Sequence, residues 1–165
     1  VELKIFGSDF FLCSSNAITE DGILVNIDGN SNRVAAIAYG PKKVIMIVGM
    51  NKVAKDFDAA LSRARNIAAP INAQRFPLDT PCKQNGSCVN CKSRDTICCE
   101  FLVTRYSRHA DRFHIILVND DDAINMSRKI ALNLGIGVGI SSGANMIASI
   151  ILKEMGYKNR QLFPI

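Results

Sequence analysis

Four cysteines fall in one short stretch, spaced Cys82-x5-Cys88-x2-Cys91-x6-Cys98, with Cys99 adjacent. The Cys88-x2-Cys91 pair is the strong element. Two intervening residues let both thiolates turn toward one cation, and Cys82 and Cys98 complete a four-thiolate set. Asn85-Gly86 supplies a bend between the first two ligands, and Lys83, Lys92 and Arg94 offset thiolate charge. Zinc and an iron–sulfur cluster both take four thiolates, and spacing does not separate them. Free thiols in a mobile loop are the bland alternative, and a disulfide pair ranks below that. Cys13 and Cys99 read as spare thiols.

A second polar group sits nearer the start. Glu20, in the turn Thr19-Glu20-Asp21-Gly22, has the chemistry of a general base or nucleophile. Arg33, beside Asn30 and Asn32, can clamp a carboxylate or phosphate. At strand-end turns the two can face a shared crevice. Solvated hairpin residues are the competing reading for each. His109 and His114 are isolated, and His114 lies in an apolar strand where a structural role is expected.

These groups need elements to hold them. Phe10 to Cys13 reads as a buried strand, and Asp21-Gly22 marks a hairpin that returns through Ile23 to Ile27. Asp28 to Asn32 is a second tight turn. The pattern of Arg33 to Ile37 fits strand or short helix. Lys43 to Gly49 is continuously apolar and β-branched, as in a strand covered on both faces. A helix is expected from about Lys55 to Ala68, with Phe57, Leu61, Ala64 and Ala68 as its apolar stripe and Pro70 as its stop. The cysteine loop spans 79–99, and strands are expected at 100–105 and 113–118. The tail reads as helix 121–134 capped by Asp120 or Asp121 and ended by Gly135, a short strand at 136–140, a helix from Ser141 to about Met155, and a strand beginning at Gln161.

Composition sets the bounds. The chain has 165 residues, 48% hydrophobic and 21% charged, which is the globular regime. The net charge of +5 is scattered rather than clustered, and Trp is absent. Nucleic-acid binding is therefore not expected, and an anionic small molecule is an equally good use of the charge. No apolar run reaches membrane-span length and no signal-peptide pattern opens the chain. Cysteines gathered in one loop fit a reducing cytoplasm.

Cys82-Lys83-Gln84-Asn85-Gly86-Ser87-Cys88-Val89-Asn90-Cys91-Lys92-Ser93 follows four other motifs in order. These are Ser15 to Gly22, Leu24 to Gly29, Asn32 to Ala36 and Gly40 to Val44. Together, over about residues 1–121, they resemble the LUD-domain family of lactate-utilisation-type proteins. The resemblance implies an α/β fold, a sheet with flanking helices like that of ribose-5-phosphate isomerase and CoA transferases. It implies association with lactate or other organic-acid redox metabolism, often beside iron–sulfur proteins. Family members carry a substantial portion before the segment matching Val1, so the expectation is a domain truncated at its N-terminus.

The tail resembles something else. Asp121 to Lys129, followed by Gly139-Ile140-Ser141-Ser142-Gly143-Ala144, is similar to the late part of cysteine synthase, a pyridoxal-phosphate enzyme. The resemblance would place Ser141 at the cofactor's pyridine nitrogen. The Schiff-base lysine and phosphate cradle such an enzyme needs have no counterpart in 1–120, so pyridoxal phosphate is not expected and Ser141 reads as a helix N-cap.

The expected organisation is thus a partial LUD-like domain, 1–119, and a β-α-type appendage, 120–165, meeting at Val118-Asn119-Asp120 as in a chimeric chain. The expected function is a LUD-type protein of organic-acid metabolism with a cysteine-bound metal or cluster. The alternatives are a non-catalytic metal-stabilised accessory domain and a cysteine synthase remnant. Expected partners are a small organic acid or other anion and iron–sulfur redox proteins. The oligomeric state is open.

Overall fold

The computed structural model describes residues 2–135, 140–154 and 156. The continuously apolar stretch forms the central strand. β4 (Lys43–Gly49) lies between β1 (Phe10–Cys13) and β7 (Phe113–Val118), parallel to both, in a three-stranded sheet. A second, mixed sheet has the order β5-β2-β3-β6, from Val53–Ala54, Ala17–Thr19, Leu24–Asp28 and Glu100–Thr104. Here β2 and β3 are the expected Asp-Gly hairpin, antiparallel, with Gly22 at φ +92° in its turn.

The alternation of β4 explains how the layers stack. Val44, Met46 and Val48 face the mixed sheet and meet Ile18, Leu24 and the helical Ala36 and Ile37. Ile45 and Ile47 point to the opposite side. α6 (Asp120–Leu134) and α7 (Ile140–Glu154) cover that side, with Ala123, Ala148 and Leu152 buried against Ile45, Ile47, Phe10 and Val118. β4 is therefore covered on both faces, as its unbroken apolar run requires. The outer face of the mixed sheet, Ala17, Val25 and Ile27, packs on Ala60 and Ala64. The order of layers is helices, parallel sheet, mixed sheet, helices.

One helical turn, α1 (Glu2–Ile5), precedes β1, and the ambiguous segment after the second turn is a helix, α2 (Asn32–Ala38). Its start is fixed from outside: Asp28 Oδ2 accepts from the backbone N–H groups of Arg33 and Val34, each at 3.1 Å. Its end is held by Arg112, which donates to the carbonyls of Ile37 (2.7 Å), Ala36 (3.3 Å) and Pro41 (3.2 Å). That guanidinium also stacks 4.9 Å from the Phe113 ring centroid.

Several expectations are corrected. Pro70 does not end the helix that begins at α3 (Phe57–Arg63). The chain widens into a π-turn over Ala64–Ala68 and continues as α4 (Ala69–Ala73), with Pro70 in its first turn. A wide turn leaves room for the proline ring and absorbs its missing N–H. The buried stripe is Ala60, Ala64, Ala69 and Ala73, not one led by Phe57, because only small side chains let this helix approach the sheet. α6 is capped by Asn119, whose side chain accepts from the Asp121 N–H, rather than by an aspartate. The buried face of α6 carries Ala123 and Ser127, while Leu134 is exposed. Gly143 of α7 sits against Ala123 and Ser127, and a Cβ there would collide with the Ala123 carbonyl and the Ser127 hydroxyl. The small residues of the tail serve helix packing. The strands expected at 136–140 and from Gln161 fall on or run into residues outside the described ones.

Candidate functional site

The cysteine segment is tied at both ends. Its entry is α5 (Pro81–Asn85), one turn of helix that Gly86 closes at φ +69°. Its exit runs antiparallel past β3, where the Cys99 N–H donates to the Asp28 carbonyl at 2.9 Å. Gly29 permits that passage, since a Cβ there would stand 3.1 Å from the Ile97 backbone. Between the ends, Asn90 takes φ +54° in the Cys88-x2-Cys91 bend.

The four expected cysteines converge on one cavity of about 410 Å³. Cys82, Cys88, Cys91 and Cys98 all line it, with Arg65, Thr80, Lys92, Cys99 and Phe101. Arg65 Nη2 reaches Cys88 Sγ at 3.9 Å and Asn90 Oδ1 at 2.8 Å. The Asn90 N–H points to Cys88 Sγ at 3.4 Å, and Thr80 Oγ1 lies 3.3 Å from Cys82 Sγ. Burial, then the neighbouring Cys88, pushes the Cys98 thiol up to about 11; Cys82 and Cys91 add to the rise and a Thr96 hydrogen bond opposes it. Among the described residues no three Cys, His, Asp or Glu side chains form a group set to hold a metal ion. Four cysteines, the donor type that both zinc and iron–sulfur clusters take, line one cavity, and Arg65 and the Asn90 N–H are aimed at one of them, Cys88.

Glu20 and Arg33 are not brought together. Glu20 is exposed at the hairpin turn, with its N–H on the Ala54 carbonyl. Arg33 lies beyond the other end of β3, roughly 13 Å of strand away. Its guanidinium is committed to the protein itself. Nη1 donates to the Ser14 carbonyl (3.0 Å) and Asn26 Oδ1 (2.7 Å), and Nη2 to Asn16 Oδ1 (3.0 Å) and the Ile27 carbonyl (2.9 Å). The shared-crevice expectation fails because β3 spaces the two turns apart. Ser141 lies in the first turn of α7, and its side chain is outside the described residues. His114 bonds the Asp111 carbonyl at 2.9 Å, a local structural contact.

The polar residues that sequence reading passed over lie elsewhere. Lys52 ends a 3₁₀ turn (Met50–Lys52) at the carboxyl end of β4 and donates to Ser14 Oγ at 2.8 Å. Arg63, at the end of α3, donates to the carbonyls of Asn16 (2.6 Å) and Asn51 (3.0 Å). Burial, then Arg63 and Arg33, holds the Lys52 ammonium below the usual lysine range, with Asp120 opposing. Position was the available signal: Met50-Asn51-Lys52 directly follows the clearest strand, where α/β sheets bind ligands. One more thiol, the half-buried Cys13, is pushed up to about 12 by burial, with Arg33 opposing.

A family model for the LUD domain matches residues 1–118. The chain belongs to the LUD domain family. The match ends on the last residue of β7, one residue before the cap of α6. No solved structure matches the chain. The resemblance of the tail to cysteine synthase receives no support from these comparisons. No helix among the described residues is long and apolar enough to cross a membrane.

Proposed function

We propose that this LUD-domain protein works in cytoplasmic organic-acid redox metabolism and that its cysteine cavity takes a thiolate-bound centre, zinc or an iron–sulfur cluster. The convergence of Cys82, Cys88, Cys91 and Cys98 on one cavity carries this reading. Those four residues would hold the centre, and Arg65 and Lys92 would offset its charge. A cluster would supply one-electron transfer to iron–sulfur partner proteins, whereas zinc would supply structure. The parallel β1-β4-β7 sheet supports a core like that of ribose-5-phosphate isomerase and CoA transferases. Anaerobic, reducing purification followed by metal analysis, thiol titration and an absorbance spectrum tests the centre. Visible absorption with iron means a cluster, and a colourless protein with stoichiometric zinc means a structural site. A metal-free protein with all six thiols titratable sinks the reading.

The separation of Glu20 from the internally bonded Arg33 favours a second reading, a metal-stabilised accessory domain without catalysis of its own. The two readings part on one measurement. A metal-loaded protein that neither oxidises nor reduces L-lactate or pyruvate, even with an electron acceptor or donor and its iron–sulfur partners, belongs to the second.

A further inference from the structure

We propose that Lys52 and Arg63, set on the Ser14–Asn16 link at the carboxyl ends of β1 and β4, bind a small oxyanion, the carboxylate or phosphate group of a metabolite. None of these residues lines the cysteine cavity, so the inference stands or falls apart from any metal there.

The placement comes from topology. The connections that leave β1, β4 and β7 meet at the same end of the parallel sheet, which is where open α/β sheets form their crevice. Gly49, the last residue of β4, keeps that end narrow: a Cβ would stand 2.9 Å from Asn51 Oδ1 and 3.4 Å from Asp120 Oδ1.

The charge at this end is unusual. Three cations lean on one three-residue link: Lys52 on Ser14 Oγ, Arg63 on the Asn16 carbonyl, and Arg33 on the Ser14 carbonyl and Asn16 Oδ1. None of the three forms a salt bridge among the described residues, although Asp28 lies near Arg33 and Asp120 near Lys52. Like charges gathered and half-buried are costly unless something anionic is taken up between them.

The donors divide by role. Arg33 has spent its terminal N–H groups on the protein and contributes field only. Among the described residues Lys52 uses one of its three donors, and Arg63 Nη2 makes no hydrogen bond. An ammonium point charge beside a partly free guanidinium edge suits two oxygens of one small anion.

A separate observation belongs to the same network, through Arg33. Asn26 is fully buried between the two sheets, and among the described residues its Nδ2 has no hydrogen-bond partner. Its Oδ1 is held by Arg33, which fixes the orientation of the amide and leaves Nδ2 in the same network as an unfilled donor. Buried donors of this kind are satisfied by a ligand or a water.

The test is calorimetric titration of the whole chain at low ionic strength with L-lactate, pyruvate and inorganic phosphate. The two carboxylates follow from the organic-acid reading, and phosphate does not. Saturable binding of one or more at a single site is expected. Affinity should fall at least about tenfold in Lys52→Met and in Arg63→Met, both checked for native circular dichroism, and stay within about twofold in Arg75→Met. In the unmodified protein, the bound probe should slow acylation of Lys52, read by mass spectrometry, and leave the exposed Lys55 unchanged. Phosphate binding without carboxylate binding keeps the site and discards the organic-acid reading. No saturable binding by any probe, or unchanged affinity in both variants, overturns the proposal. If the variants unfold, absence of Lys52 protection overturns it.

Discussion

Lys52 Nζ donates to Ser14 Oγ at 2.8 Å, and this bond joins the two points where the chain passes from the parallel sheet to the mixed one. Ser14–Asn16 carries β1 into β2, and Met50–Lys52 carries β4 into β5. A cation thus closes the seam between sheets, at the place where two further cations already stand.

Its protonation carries a cost. Burial, Arg63 and Arg33 lower the Lys52 ammonium from 10.5, so below that value the unfolded chain binds the proton more tightly than the native one. The charged lysine therefore reduces stability at neutral pH, and the penalty is shed as pH rises through the lowered pKa toward 10.5. Lys52→Met should be more stable than the parent at pH 7 by about 1 kcal/mol, the usual sign of a strained functional position. Urea unfolding at pH 7 and pH 10 checks this; the gain should shrink at the higher pH.

Arg33 and Glu20 should respond unequally. Arg33→Gln strips donors from the Ser14 and Ile27 carbonyls and from Asn16 and Asn26, and should cost roughly 2–4 kcal/mol. Glu20→Gln, at an exposed turn, should stay within about 0.5 kcal/mol. Urea midpoints of the two variants decide. An Arg33→Gln protein of parental stability would mean that the four bonds contribute little.

The α6–α7 contact can be tested at Gly143. Gly143→Val places a branched side chain against the Ala123 carbonyl and Ser127, and should cost at least about 2 kcal/mol. Ser142→Ala, at an exposed neighbouring position, serves as the control in thermal unfolding.

Cys13 makes stability fall in alkali. Burial pushes its thiol from 9.0 up to about 12, so the native state keeps a proton that the unfolded chain releases. The stabilisation is complete below pH 9 and lost progressively as pH rises from there toward 12. Cys13→Ala should begin less stable at pH 7, by about 1 kcal/mol for the lost side-chain packing, and show a shallower decline above pH 9. Unfolding free energies across pH 7–11 give both quantities.

The fold was legible where local pattern and burial agree. Ile45 and Ile47 need one cover and Val44, Met46 and Val48 another, so the unbroken run of β4 already implied two covered faces. The Asp-Gly hairpin and the Gly135 cap were equally local. Pro70 misled because its effect depends on the turn before it, and a π-turn has no sequence signature as plain as a proline has. Phe57 misled because the hydrophobic stripe of a helix is not its closest-packed stripe; Ala60 and Ala64 are. At the site, cysteine spacing carries its chemistry in one segment and could be read directly. The Lys52 group could not, since Ser14, Asn26, Arg33, Lys52 and Arg63 are far apart in sequence and meet only when both sheets form.

The cover that α6 and α7 lay over the parallel sheet bears on how the family-matched segment behaves alone. A chain cut after Val118 keeps every strand of both sheets yet uncovers Phe10, Leu12, Ile45, Ile47 and Ile116 along one continuous face. An apolar surface of that kind, flanked by open strand edges, drives precipitation rather than unfolding. Residues 1–118 expressed by themselves should therefore collect in inclusion bodies, and adding back 119–156 should restore recovery in the supernatant.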